Sequence, residues 1–233
     1  NTMFAPADGG PGVMTALLRL AERADLRLHV PKGVASLCCG TPWSSKGFDE
    51  GYAVMRRRVQ ETLLTATDGG RIPVVSDAAS CTEGFERLTA AGSERPTAAS
   101  PAVRVLDAVT FVAEHVLPRL PQPPEDRRQA SLALHPTCSS VRLGLDAAIA
   151  KVAGAVAKEV VVPDGWQCCA FAGDRGLLHP ELTASATRAE AASVVAGDFA
   201  AHASVNRTCE IGMTRATGRP YHHLLELLDQ VTS

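Results

Sequence analysis

Two Cys-Cys dipeptides, Cys38-Cys39 and Cys168-Cys169, stand 130 residues apart, and each is followed by one further cysteine, Cys81 after the first and Cys209 after the second. Grouped thiolates of this kind either hold a soft metal or carry redox chemistry of their own. The spacing repeats beyond the pairs. Cys138 is followed by 29 residues before Cys168, and Asp8 by 29 before Cys38, so the offset of 130 holds at Pro6/Pro136, Asp8/Cys138, Cys38/Cys168 and Cys39/Cys169. Downstream it slips to 128, at Cys81/Cys209 and again at Gly84/Gly212, as a two-residue indel in one loop would produce. Several matched spacings mark an internal duplication better than any one motif does.

The two copies do not offer the same donors. Four cysteines are the usual complement of a 4Fe–4S cluster, and four thiolates also make a tetrahedral zinc site. The second copy has such a set in Cys138, Cys168, Cys169 and Cys209. The first has Cys38, Cys39 and Cys81, with Asp8 at the fourth place, and a carboxylate there can ligate zinc or iron but weakens the case for a cluster. Iron and zinc both remain open, as does thiol–disulfide exchange at either Cys-Cys pair, although adjacent cysteines form a strained bond. The loops after the pairs each carry a cation, Lys46 and Arg175, able to offset thiolate charge or receive an anionic partner. His135, three residues before Cys138, is a candidate substitute ligand or supporting donor; His29, His115, His179, His202, His222 and His223 read as surface or packing residues. Trp43, Trp166 and Phe171 lie close enough in sequence to shield the thiols. No catalytic residue emerges: there is neither a Ser-His-acid pattern, nor a P-loop, nor a dinucleotide fingerprint.

The elements that must position these groups alternate. Short β-type runs fall at Met3–Ala5, Leu26–Val30, Ile72–Val75, Val103–Leu106, Ser131–His135 and Glu159–Val162. Helical periodicity fills Gly12–Ala24, Asp49–Ala66, Asp107–Leu117, Asp146–Ala157, Pro180–Ala201 and Pro220–Val231. This alternation predicts an α/β fold, two pseudo-symmetric repeats of βαβ units with mostly parallel sheets. The repeats are expected at residues 1–117 and 129–233, joined by a Pro-rich, charged linker over residues 118–128. The cysteines then fall just past strand ends, where α/β folds keep functional groups.

Composition narrows the rest. With 23 basic against 25 acidic residues, the chain lacks the concentrated positive surface of a nucleic-acid binder. The most apolar stretch, Ala147–Val162, is interrupted by Lys151 and Lys158, so no membrane span is expected. Seven cysteines, an odd number with two adjacent pairs, fit a secreted disulfide framework poorly. The first residues show no export signal, and a reducing cytoplasm is the expected setting.

These spacings resemble the cysteine-rich CCG domain, which occurs, usually in two copies, in heterodisulfide reductases, glycolate oxidase iron–sulfur subunits, anaerobic glycerol-3-phosphate dehydrogenase subunits and lactate-utilisation proteins. The segments Cys38–Phe48, Cys168–Gly176 and Asn206–Tyr221 are similar to the C-terminal part of FAD- and iron–sulfur-binding D-lactate dehydrogenases. That resemblance implies a part of a longer oxidoreductase. A flavin domain elsewhere in it would hold FAD and oxidise the hydroxy acid, and this region would pass electrons on to a quinone or another respiratory acceptor, in the cytoplasm or at the inner face of the membrane. Neither the flavin domain nor a C-x-x-C-x-x-C run is present here, so the chain alone is not expected to turn over substrate. The chain departs from the pattern at Asp8, at Ala170 in place of the glycine of Cys-Cys-Gly, and at Gly84 and Gly212, where reductase members place a last cysteine.

Overall fold

The computed structural model of the chain describes residues 9–90 and 103–233. The expected strand Met3–Ala5, and Asp8 with it, lie outside the described residues. The fold is α/β, and every strand pairing is parallel.

Helix α1 (Gly12–Arg23) buries Val13, Ala16, Leu17, Leu20 and Ala21, the three-and-four spacing of a single apolar stripe. The chain then enters a smaller compact unit, Leu28–Ala108. It contains α2 (Thr41–Ser44), α3 (Asp49–Ala66), β1 (Val74–Ser76), α4 (Ala79–Ala90) and β2 (Val105–Asp107). β1 pairs with β2 from Val74↔Val105 to Ser76↔Asp107. Val59, Leu63, Leu88 and Val103 form this unit's core, with Tyr52, Met55, Val74 and Phe85 packed around it. Leu26–Val30 forms no strand. Its alternation is real, but a strand also requires a ladder partner, and β1 and β2 pair only with each other among the described residues.

The larger unit joins residues 9–27 to 109–233. α5 (Ala108–Phe111) runs on into a π turn, Val112–Val116, and then a 3-10 turn, Leu117–Arg119. After the mostly exposed stretch 118–128 come β3 (Gln129–His135), α6 (Cys138–Arg142), α7 (Asp146–Val156), β4 (Ala157–Val161), α8 (Arg175–Leu178), α9 (Pro180–Ala186), α10 (Arg188–Gly197), β5 (Ala201–Ser204), α11 (Arg207–Thr217), β6 (His222–His223) and α12 (Leu224–Val231). The compact units therefore divide the chain differently from the sequence repeats: α1 and residues 109–117 fold with the second half. On α12, Asp229 pairs with Arg19 at 3.4 Å and with Arg23, closing α1 onto it.

The single helix expected over Pro180–Ala201 is three elements. At the first break the buried Thr187 hydroxyl bonds back to the Thr183 carbonyl at 2.8 Å. At the second, Asp198 adopts left-handed φ of 45° after Gly197 and stops α10. Ala201 then opens β5, which pairs with β3 from Leu132↔Ala201 to His135↔Ser204.

Strand order in the larger sheet is β4-β3-β5-β6. From β3 the chain moves to one side to make β4, then crosses back to make β5 on the other side. The carboxyl ends of β3 and β5 therefore flank the topological switch point, where open α/β sheets leave a crevice. Among the described residues, no helix is long and apolar enough to cross a membrane.

Candidate metal centre

Three segments deliver thiols to that crevice. β3 ends at His135, and the chain turns through Pro136 and Thr137 into α6, whose first residue is Cys138. A reciprocal cap fixes this turn: the Thr137 hydroxyl accepts from Ser140 N–H at 3.0 Å, and Ser140 Oγ accepts from Thr137 N–H at 2.9 Å. The loop carrying Cys168 and Cys169 is tied to the same turn by Trp166, whose Nε1 donates to the Pro136 carbonyl at 2.8 Å. Beyond β5, Asn206 opens α11 with Cys209 as its third residue. Arg207, in the first turn of α11, is held between Glu210 and Glu226, the latter at 3.0 Å. Its position fixes the start of the helix and the direction of Cys209.

The sulfurs of Cys169 and Cys209 lie 3.1 Å apart. With a ring nitrogen of His135 they form a buried group whose donor atoms all lie within 4.8 Å of one another. Cys138 and Cys168 lie near each other outside this group, and Cys168 is the exposed member. A hydrogen bond from Cys209 holds the Cys169 thiol below its ordinary range, helped by His135 against the opposing effect of burial. The hydrogen bond to Cys169, and then burial, push Cys209 the other way. Burial raises Cys138, with a further rise from Cys168, and Arg142 partly offsets both. Phe171, fully buried, packs on Cys169 and Cys209 and screens them from water.

His135 is held from behind. Its Nδ1 lies 2.7 Å and 2.9 Å from the two carboxylate oxygens of Glu190 on α10, and both side chains are buried. Nε2 is also buried and has no well-aligned hydrogen-bond partner. Burial alone would lower the His135 pKa; the neighbouring Cys169 and Glu190 outweigh it and raise the pKa to about 9. Gly165 brings the cysteine loop onto α10, since a Cβ there would sit 2.7 Å from the Ala189 methyl.

In the smaller unit Cys81 is the third residue of α4, as Cys209 is of α11, and the strand before each helix delivers it. Hydrogen bonds from Cys38, then Cys81, hold Cys39 far below an ordinary thiol, with Thr41 adding to them against burial. Cys38 and Cys81 are raised in turn, chiefly by those same bonds to Cys39. Gly84 explains how close α4 comes. A Cβ there would lie 2.6 Å from the Cys39 carbonyl oxygen and 2.9 Å from its Cβ. At Gly212 the corresponding contacts are looser, 3.2 Å to Thr183 and 3.9 Å to Cys169.

Other sequence candidates fall elsewhere. Lys46 lies in an exposed turn after α2, and Arg175 is the exposed first residue of α8. The cation beside the thiols is Arg142, four residues on from Cys138 along α6. Trp43 packs over Gly51 rather than over sulfur, since a Cβ there would lie 2.6 Å from its ring. His223, read as a packing residue, caps α12 by accepting from Leu225 N–H at 3.2 Å. Glu190 was not legible in the sequence, lying 55 residues from His135 with no motif around it.

The donors suit a soft or borderline metal: sulfurs paired as thiol and thiolate, with a buried imidazole nitrogen beside them that makes no well-aligned hydrogen bond. Residues 4–86 match the family model described as CCG, cysteine-rich domain, a stretch that contains Cys38, Cys39, Cys81 and Gly84. No curated protein matches the chain. The matched cysteine-rich domain and, outside it, the buried group of Cys169, Cys209 and His135 point to a metal or redox role.

Proposed function

We propose that this chain, with a CCG cysteine-rich domain over residues 4–86, is the electron-transfer part of a flavin-linked D-lactate or D-2-hydroxyacid dehydrogenase, and that the thiols of its second half form the redox centre. The observation that carries the reading is the meeting of Cys169, Cys209 and His135 at the switch point of a parallel sheet, with Cys138 and Cys168 close enough to act on their charge. The motif strings Cys38–Phe48 and Cys168–Gly176 support the choice of dehydrogenase.

A 4Fe–4S cluster bound there would supply one-electron capacity between a two-electron flavin donor and an acceptor such as a quinone. The chain's own residues perform the remaining tasks. Cys169 and Cys209 are the buried ligands, and Cys138 with the exposed Cys168 forms the side open to solvent. Phe171 excludes water, which lowers the local dielectric and makes nearby charges count for more. The exposed Lys46 and Arg175 meet anionic groups of the flavin domain or the acceptor. Oxidation of the hydroxy acid belongs to the flavin domain, and the expected place of work is cytoplasmic, at the membrane face where the acceptor is a quinone.

The test is anaerobic preparation followed by iron, acid-labile sulfide and zinc analysis, with absorbance and EPR before and after reduction. Iron with sulfide and a reducible visible band is the expected result. Zinc without iron would replace the relay with a metal-stabilised docking module. Metal-free protein that exchanges rapidly with a model disulfide would make it a thiol–disulfide domain.

A further inference from the structure

We infer that His135 is itself a metal ligand through Nε2, held by Glu190, so that the centre of the second half has mixed nitrogen and sulfur donors. The inference rests on the metal reading above and specifies its ligand set. Cys169, Cys209 and His135 are the group whose donor atoms all come within 4.8 Å. Cys138 or Cys168, both free thiols near its edge, supplies the remaining position.

The geometry separates the two ring nitrogens. Nδ1 is committed to both oxygens of Glu190. With the Nδ1 proton directed at that carboxylate, a metal that displaced the Nε2 proton would meet the lone pair there, and Nε2 is buried beside Cys169 without a well-aligned hydrogen bond. A carboxylate behind a metal-bound histidine fixes the ring's tautomer and orientation and raises its donor strength. Burying a histidine–carboxylate pair this deeply is expensive unless every polar atom is used, and metal at Nε2 uses the last one. The first copy has no counterpart: at the same offset of 130, His135 corresponds to Ala5. Nitrogen in place of a thiolate makes the centre less negative, so an iron cluster held this way has a higher potential than its all-cysteine equivalent.

Cobalt(II), added alone to the anaerobic, metal-free chain, is the probe. Wild-type protein should show sulfur-to-cobalt charge-transfer absorption together with the strong nitrogen coupling of a directly bound imidazole in pulsed EPR. In His135→Cys that coupling should disappear while the charge-transfer band strengthens, and metal retention shows that the fold survives. Glu190→Gln should keep the coupling but weaken cobalt binding on the order of tenfold or more, the effect of removing a supporting hydrogen bond from a ligand. Charge transfer without nitrogen coupling in the wild type, or equal coupling in His135→Cys, would overturn the inference and leave the metal reading standing. Absence of any charge-transfer band would remove the metal reading itself.

Discussion

The two thiol sites share one backbone plan and differ in their donors. In each, a strand delivers a helix whose third residue is cysteine, Cys81 or Cys209, and whose sixth is a glycine turned toward the Cys-Cys loop, Gly84 or Gly212. In the first, Cys39 sits between two thiols with no histidine beside it among the described residues, and α4 presses against its backbone. In the second, α11 stands back, a fourth thiol joins, and a buried imidazole backed by a carboxylate faces the sulfurs. Duplication thus preserves the geometry that gathers sulfur, while a few side chains decide what the gathered sulfur holds.

Ligand removal should separate the copies most strongly. Cys209→Ser takes away a buried sulfur of the second centre, and metal affinity there should fall by on the order of 100-fold or more, since loss of even a supporting partner costs about 10–100-fold. Cys39→Ser should leave that centre's spectrum intact. Metal analysis of the two variants side by side checks this, and equal losses would dissolve the distinction.

Acid should act on the larger unit. Burial, with Arg207 adding to it against Glu226, lowers the His223 pKa to about 4, compared with about 6.5 in an unfolded chain. Between these values the unfolded state binds the extra proton, so His223's own contribution is full above pH 6.5 and is lost as pH falls toward 4. That contribution should amount to about 3 kcal/mol, against the opposite slope from Glu210, whose pKa burial raises to about 8. The difference in urea midpoints between wild type and His223→Asn, which keeps a capping side chain, measures it across this range.

The glycine contacts give a finer measure. Gly84→Ala must drive a methyl into the Cys39 backbone and should cost roughly 2–3 kcal/mol, in the range of overpacked cores. Gly212→Ala should stay within about 1 kcal/mol of neutral, because its contacts can yield and alanine favours a helix. Smallest is the residue after each Cys-Cys pair. Gly40 has φ of 80° and its counterpart Ala170 has φ of 54°, a left-handed conformation that disfavours a side chain. Ala170→Gly should therefore raise stability by at most about 1 kcal/mol in denaturant titrations, whereas Gly40→Ala should lower it, with Tyr52 only 2.7 Å from the new Cβ.

How much of this could be read beforehand depends on what each element buries. α3 and α7 were legible because their apolar residues recur at helical spacing. α4 and α11 were not, since they turn Thr82 and Gly84, or Cys209 and Gly212, toward the interior instead of a leucine stripe. β5, Ala-His-Ala-Ser, is buried on every residue, but it is only four residues long and has neither β-branched nor large apolar side chains. It is a strand because β3 and β6 lie on either side of it. The thiols were legible because duplication repeats their spacing. Glu190 was invisible, since its relation to His135 exists only once α10 packs against the sheet.

The clasp between α1 and α12 joins residues more than 200 positions apart, with 206 from Arg23 to Asp229. On the ribosome, the apolar stripe of Val13, Leu17 and Leu20 is made well before the helix that covers it, since the whole intervening chain must be added first. Over that interval the stripe is an unsatisfied surface, open to chaperones or to neighbouring nascent chains, while residues 28–108 can already close on their own core. Slowing the ribosome between α1 and α12 should therefore harm the yield of folded protein more than slowing it after α12.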